Sequence, residues 1–210
     1  MDLQFSARAR PYFELAGFQL PRNVAVHPAV PCDHPAYSLL ARLGGIHIGL
    51  GPDNEILDEI RNDVVFEYYR YVGEWERLLD TKLIGVAETH QRHGLLVVAE
   101  DERFFTISGM HDAMGFVGCG FSDAMDNLLF AQSAPMIRPD QEFVKWYGIK
   151  YRHGDPGRYS YDSPEGRRTR RSTRAADHAD SEIKGSWPPP CYLCRSSSIV
   201  PFHLPDTYLQ

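Results

Sequence analysis

Apolar periodicity runs through this chain as far as about Ala131 and then stops; past Pro139 the sequence turns to Gly, Pro, Ser, Arg and Tyr with little pattern. A packed layer needs a repeating apolar face, so the stretch that has one is the stretch that can fold. We therefore expect a folded domain over residues 1–136 and a Pro/Gly/Arg-rich tail, mostly disordered, over 137–210. Charge divides at the same place. Residues 1–138 carry 11 basic and 19 acidic side chains, residues 139–210 carry 11 and 9, and the whole 210-residue chain has a net charge of −6. A domain of about 135 residues buries roughly two thirds of its unfolded surface, which is enough to stand alone.

Within the periodic part, residues 12–16 have helical spacing, with Pro11 suited to a first turn and Gly17 to a C-terminal cap. Asp33 is placed to cap a second helix, whose Ala36, Leu39, Leu40 and Leu43 recur at i, i+3, i+4 and i+7. Ile46, Ile48 and Leu50 alternate as a half-buried strand does, and the β-branched and aromatic residues of 64–71 form a second extended stretch. A helix follows over 73–82, then strands over 83–87, 95–99 and 103–107, the last two joined by the polar turn Glu100-Asp101-Glu102. Ser122 is placed to cap a final helix running to Ala131. This order predicts an α+β fold, an antiparallel sheet flanked by helices. In the tail, a short helix over 141–147 is expected to pack back through Phe143, Trp146 and Tyr147, whereas the basic run 167–171 reads as a solvated linker.

Several classes of function are disfavoured at this point. No run nears the roughly 18 apolar residues of a membrane span, and the first 13 residues lack the apolar core of a secretory signal, so we expect a cytoplasmic protein. Four cysteines, Cys32, Cys119, Cys191 and Cys194, are too few and too scattered for a disulfide framework, and Cys191 and Cys194 with His203 still lack a fourth zinc ligand. No nucleophile elbow and no Gly-rich phosphate loop with a following Lys is present. Trp75, Phe104, Phe105 and Phe116 sit at periodic positions and are expected in the core.

Several segments, in order, resemble one family. Ala16-Gly17-Phe18-Gln19-Leu20-Pro21-Arg22 is similar to the opening motif of the SUKH superfamily of bacterial immunity proteins, in its third subfamily, with Phe18 where a tryptophan is usual. Leu39-Leu40-Ala41-Arg42-Leu43-Gly44-Gly45-Ile46 resembles its helix end and strand, Leu83-Ile84-Gly85-Val86-Ala87-Glu88 its next strand, and residues 95–105 its hairpin, with Glu102 in place of a turn glycine. Residues 118–129 are similar to its closing helix. The resemblance spans about 10–131. It implies a stoichiometric, non-enzymatic inhibitor in the cytoplasm, without cofactor, small-molecule substrate or direct nucleic-acid contact, which covers the active site of a cognate nuclease or nucleotide-modifying toxin.

Set against that expectation, Asp53, Glu55, Asp58, Glu59 and Asp63 form an acidic group just after the Gly-Pro turn, and an acidic surface can occupy the electropositive field a nuclease needs for its substrate. These are the expected partner-binding residues; the alternative is a solvated loop and short helix. Glu100-Asp101-Glu102 is a second acidic spot that an exposed turn would want in any case. His90, His93, His111 and Asp112 have the ligand chemistry of a metal site, which would make the chain a small metal-dependent hydrolase, but Arg92 opposes a cation and no nearby Glu is placed as a base, so no metal is expected. A scaffold or regulatory binding module is the other alternative.

Overall fold

Apolar runs separated by turns of three or four residues, as at 90–93 and 100–102, cannot cross over to pair in parallel, and the sheet that contains these hairpins is antiparallel throughout. The computed structural model describes residues 3–160 apart from 51–56, 58, 59, 72, 110, 112 and 132, so the expectations for 161–210 lie outside the described residues. In chain order the elements are α1 (Arg10–Leu15), α2 (Pro35–Leu43), β1 (His47–Ile48), β2 (Val64–Tyr69), α3 (Glu74–Leu79), β3 (Leu83–Thr89), β4 (Gly94–Ala99), β5 (Arg103–Ser108), β6 (Ala113–Cys119), α4 (Phe121–Phe130), β7 (Ala134–Pro135), β8 (Phe143–Trp146) and β9 (Ile149–Arg152). Strands β1 to β7 make one sheet in sequence order, and β8 and β9 make a separate hairpin. The fold is the α+β arrangement expected. Among the described residues, no helix is long and apolar enough to cross a membrane.

Both faces of the sheet are buried, which is why 95–99 is a continuous apolar run with no alternation. Leu96 and Val98 face one cluster, together with Ile84, Val86, Phe104 and Val117, under Phe13 of α1, Leu39 and Leu40 of α2, and Leu128 of α4. Leu95, Val97 and Ala99 face the other, with Phe105 and Met114, under Trp75 and Leu79 of α3 and Met136 of the segment after β7. At the β3 bulge Gly85 lets two backbones close in: a Cβ there would lie 2.5 Å from the carbonyl oxygen of Tyr69. Trp75, Phe104 and Phe105 are core residues, as expected, and Phe116 is partly buried.

Three local expectations are corrected, and one strand is added. The cap of α2 is His34, not Asp33: its Nδ1 accepts from the Ala36 amide at 3.1 Å, and Pro35 takes the first helical position. Helix α4 begins one residue before Ser122, with Gly120 at the cap (φ 80°), because Phe121 must turn inward against Phe13. Strand β6, unrecognised in the sequence, completes the antiparallel run between β5 and β7. Residues 141–147 are not a helix. Val144 and Trp146 point to the domain while Phe143 and Lys145 point away, the period of a strand, and Tyr147 and Gly148 both adopt positive φ (48° and 83°), as a type I′ hairpin turn requires. The hairpin packs on the domain through Val144 and Trp146, and Tyr159 stacks on Phe116, with its amide bonded to Pro135.

Candidate functional site

Of the five acidic residues expected to bind a partner, Asp53, Glu55, Asp58 and Glu59 lie outside the described residues. The backbone around them is held at both ends. The Leu57 amide donates to Gly49, the Arg61 amide to Leu129 and the Asn62 side chain to Leu128, while Ile60 is buried beside Gly49, where any Cβ would collide with it. Asp63 is itself buried, 4 % exposed. Its Oδ1 accepts from the Gln91 amide at 2.7 Å and its Oδ2 lies 3.2 Å from His47 Nε2, so its carboxylate braces the β3–β4 turn and does not face solvent.

The second acidic spot is also partly committed. Asp101 accepts from the backbone and Nε of Arg103, the latter at 2.7 Å, and the buried guanidinium reaches the Tyr159 hydroxyl at 3.4 Å. Burial acts to lower the Arg103 pKa, but the bond to Asp101 more than offsets it, and the group stays firmly charged. The Glu100 amide donates to Thr81 Oγ1.

The braced turn forms one side of a cleft of about 260 Å³. His90, Gln91 and Arg92 all have positive φ there (54°, 52° and 75°), a conformation that non-glycine residues keep only when surroundings hold it, and the Asp63 bond to Gln91 does so. The opposite side is the β8–β9 turn: Tyr147 Oη and His90 Nε2 meet at 2.6 Å across the mouth. His111, from the β5–β6 turn, packs its ring against Trp146 and Tyr147, with centroids 5.6 and 5.7 Å away, and its Nδ1 is 2.7 Å from Ser108 Oγ. Arg61, His93 and Thr106 complete the polar lining. Thr89 is 1 % exposed and its Oγ1 has no hydrogen-bond partner. Burial lowers the pKa of His90; Asp63 works against this, and His93 and His111 add to it.

The fold thus brings His111, from the β5–β6 turn, to one cleft with His90 and His93 of the β3–β4 turn. Asp112 lies outside the described residues, and among the described residues no three of His, Cys, Asp and Glu are placed to hold a metal. Thr89, Thr106, Ser108, Trp146 and Tyr147 were not singled out as site residues. The one signal for the last two was the alternation Val144, Trp146 leading into Tyr147-Gly148; the hydroxyls carry no sequence signature.

Comparison with known proteins places this architecture in a family. No curated protein and no solved structure matches the chain. The family model described as SUKH-3 immunity protein matches residues 21–130, the stretch from just before α2 to the end of α4 that supplies all but the last strand of the seven-stranded sheet. The chain belongs to the SUKH-3 immunity protein family.

Proposed function

We propose that this protein protects the cell that makes it by binding a cognate toxin in the cytoplasm and covering the toxin's active site, without chemistry of its own. The observation that carries the reading is the match of residues 21–130 to immunity proteins. The toxin is a nuclease or nucleotide-modifying enzyme of a polymorphic toxin system. Such an enzyme presents an electropositive groove to phosphates, and Asp53, Glu55, Asp58 and Glu59 supply the complementary charge. Asp63 serves the same surface from beneath by fixing the chain where the acidic segment rejoins β2.

Co-expression with the toxin encoded beside it tests the reading. Survival together with a 1:1 complex is the expected result; survival without a complex defeats the blocking mechanism. Reversing Asp53, Glu55, Asp58 and Glu59 to lysine is expected to slow association about tenfold or more at low salt, by loss of steering, with the difference shrinking as salt shortens the Debye length below about 8 Å. An unchanged rate at low salt assigns docking to another surface.

A further inference from the structure

The β8–β9 hairpin turns Val144 and Trp146 to the domain and its other side to solvent. On that outer side the register sets Lys145 directly opposite Lys150, and Phe143 opposite Arg152. All four are exposed, and the Lys150 ammonium lies 3.5 Å from the centroid of the Phe143 ring. Like charges opposed across a strand pair cost a hairpin stability, and among the described residues neither lysine has an ion pair to offset that cost. Of the acidic neighbours, Glu142 reaches Arg152 Nε only at 4.0 Å, Asp155 accepts from the Arg152 amide, and Asp140 pairs with Arg138. The sequence beyond keeps the same sign. Lys145 to Arg174 carry nine basic and three acidic side chains, whereas the other 180 residues carry 13 and 25.

We propose that the outer side of this hairpin binds a single-stranded nucleic acid, with Lys145, Lys150 and Arg152 on its phosphates and Phe143 against a base. The arrangement of charge selects a strand. Lys150 and Arg152 follow one another along β9, Lys145 flanks them on β8, and the basic run 167–171 prolongs the charge along the sequence. A linear polyanion meets such a row phosphate by phosphate, and an exposed aromatic ring at one end of it gives an unstacked base a partner, which is how proteins hold single strands without reading their sequence. A duplex keeps its bases from that ring. An anionic membrane would need an apolar surface to bury, and of the four outer residues only Phe143 is apolar. The family resemblance, which implies no nucleic-acid contact, ends at about residue 131, before the hairpin begins. The inference goes beyond toxin binding and does not rest on it.

The test is fluorescence anisotropy of the full chain with a labelled oligothymidylate of about 20 nucleotides, from about 50 to 200 mM salt. Saturable binding is expected at the lowest salt, weakening as salt rises. Lys145→Gln, Lys150→Gln and Arg152→Gln together remove three phosphate contacts and are expected to flatten the slope of log affinity against log salt by about 2. The melting temperature should be no lower, because these side chains point away from the domain. The single Lys145→Gln change is expected to flatten the slope by about 0.7. Phe143→Ala is expected to weaken binding about fivefold or more at every salt concentration while leaving the slope as it was. A DNA duplex of the same length and vesicles rich in phosphatidylserine are expected to bind more weakly than the single strand. No saturable binding at the lowest salt overturns the proposal. So does an unchanged slope in the triple variant, which would assign the contact to the basic run alone, equal or tighter binding of the duplex, or equal or tighter binding of the vesicles.

Discussion

On one face of the sheet, α1, α2 and α4 press Phe13, Leu39, Leu40 and Leu128 onto Ile84, Val86, Leu96 and Val98. On the other, the cover is one short helix, α3, and the segment from Met136 to Tyr159, laid over Val97, Phe105, Met114 and Phe116. The first cover is built from regular elements, two of which lie inside the family-matched stretch; most of the second comes from beyond residue 130. This difference separates tasks. The helical side carries the bulk of the apolar core, whereas the strap side leaves a cleft where its hairpin turn meets the β3–β4 turn. Trp146 and Tyr147, which lie beyond the matched residues 21–130, supply one wall of that cleft.

The contrast is most directly broken by comparing the cost of a hole on each side. Phe13 is fully buried, with the rings of Phe5, Phe18, Phe66 and Phe121 around it. Phe13→Ala is expected to lower global stability by about 3–5 kcal/mol, read by urea unfolding, since the ring cluster cannot close over the gap. A loss below about 1 kcal/mol would mean that the helical side is not the principal core.

That side was also the more legible. The stripe Ala36, Leu39, Leu40, Leu43 is buried throughout, because an amphipathic helix writes its packing face into its own periodicity. The strap side hides the equivalent information in its partners. Strand β6 carries Gly115 and Gly118 and so does not read as a strand; yet a Cβ at Gly115 would sit 2.7 Å from the Trp146 ring, and one at Gly118 would sit 2.8 Å from the Ala124 amide of α4. Those glycines answer neighbours 31 and 6 residues away, which no local pattern can show. The region 141–147 misleads in the opposite way: Phe143, Trp146 and Tyr147 mimic helical spacing, and only the Tyr147-Gly148 turn betrays a hairpin. Likewise the histidines of the cleft are visible as residues, but their convergence depends on two separate turns, β3–β4 and β5–β6.

Acid sharpens the comparison, because the helical side holds a histidine that must stay neutral. Burial, opposed mainly by the Nε2 bond to the Lys82 carbonyl, lowers the His34 pKa to about 4, and Nδ1 has to remain unprotonated to cap α2. Between pH 6.5 and about 4 the unfolded chain therefore takes up a proton that the folded chain refuses. Stability from this group is fully present above pH 6.5 and falls as pH drops through that window, by about 3 kcal/mol at its end. His34→Asn keeps a capping acceptor but cannot titrate, so the difference between wild type and variant isolates this dependence from that of His90, whose pKa is lowered too. Parallel stability–pH curves for the two proteins would show that His34 is not held neutral.

The smallest global effect is expected on the strap side, and it tells whether the strap is a separate cooperative unit. Trp146 is 2 % exposed, donates from Nε1 to the Ser133 carbonyl at 3.1 Å and fills the space that Gly115 leaves open. Removing so large a ring from a single core would cost as much as Phe13→Ala. Here the hairpin makes no strand pair with the sheet, so it can detach while β1 to β7 and the helices stay packed. Trp146→Ala is therefore expected to lower the global unfolding free energy by only about 1–3 kcal/mol, with loss of amide protection concentrated in β8, β9 and the β3–β4 turn that Tyr147 holds. Histidine resonances of His90 and His111 would shift with it, since both rings lose the wall they lean on. Uniform loss of protection through α2, α4 and the central strands, at a cost equal to that of Phe13→Ala, would make the two covers one cooperative core.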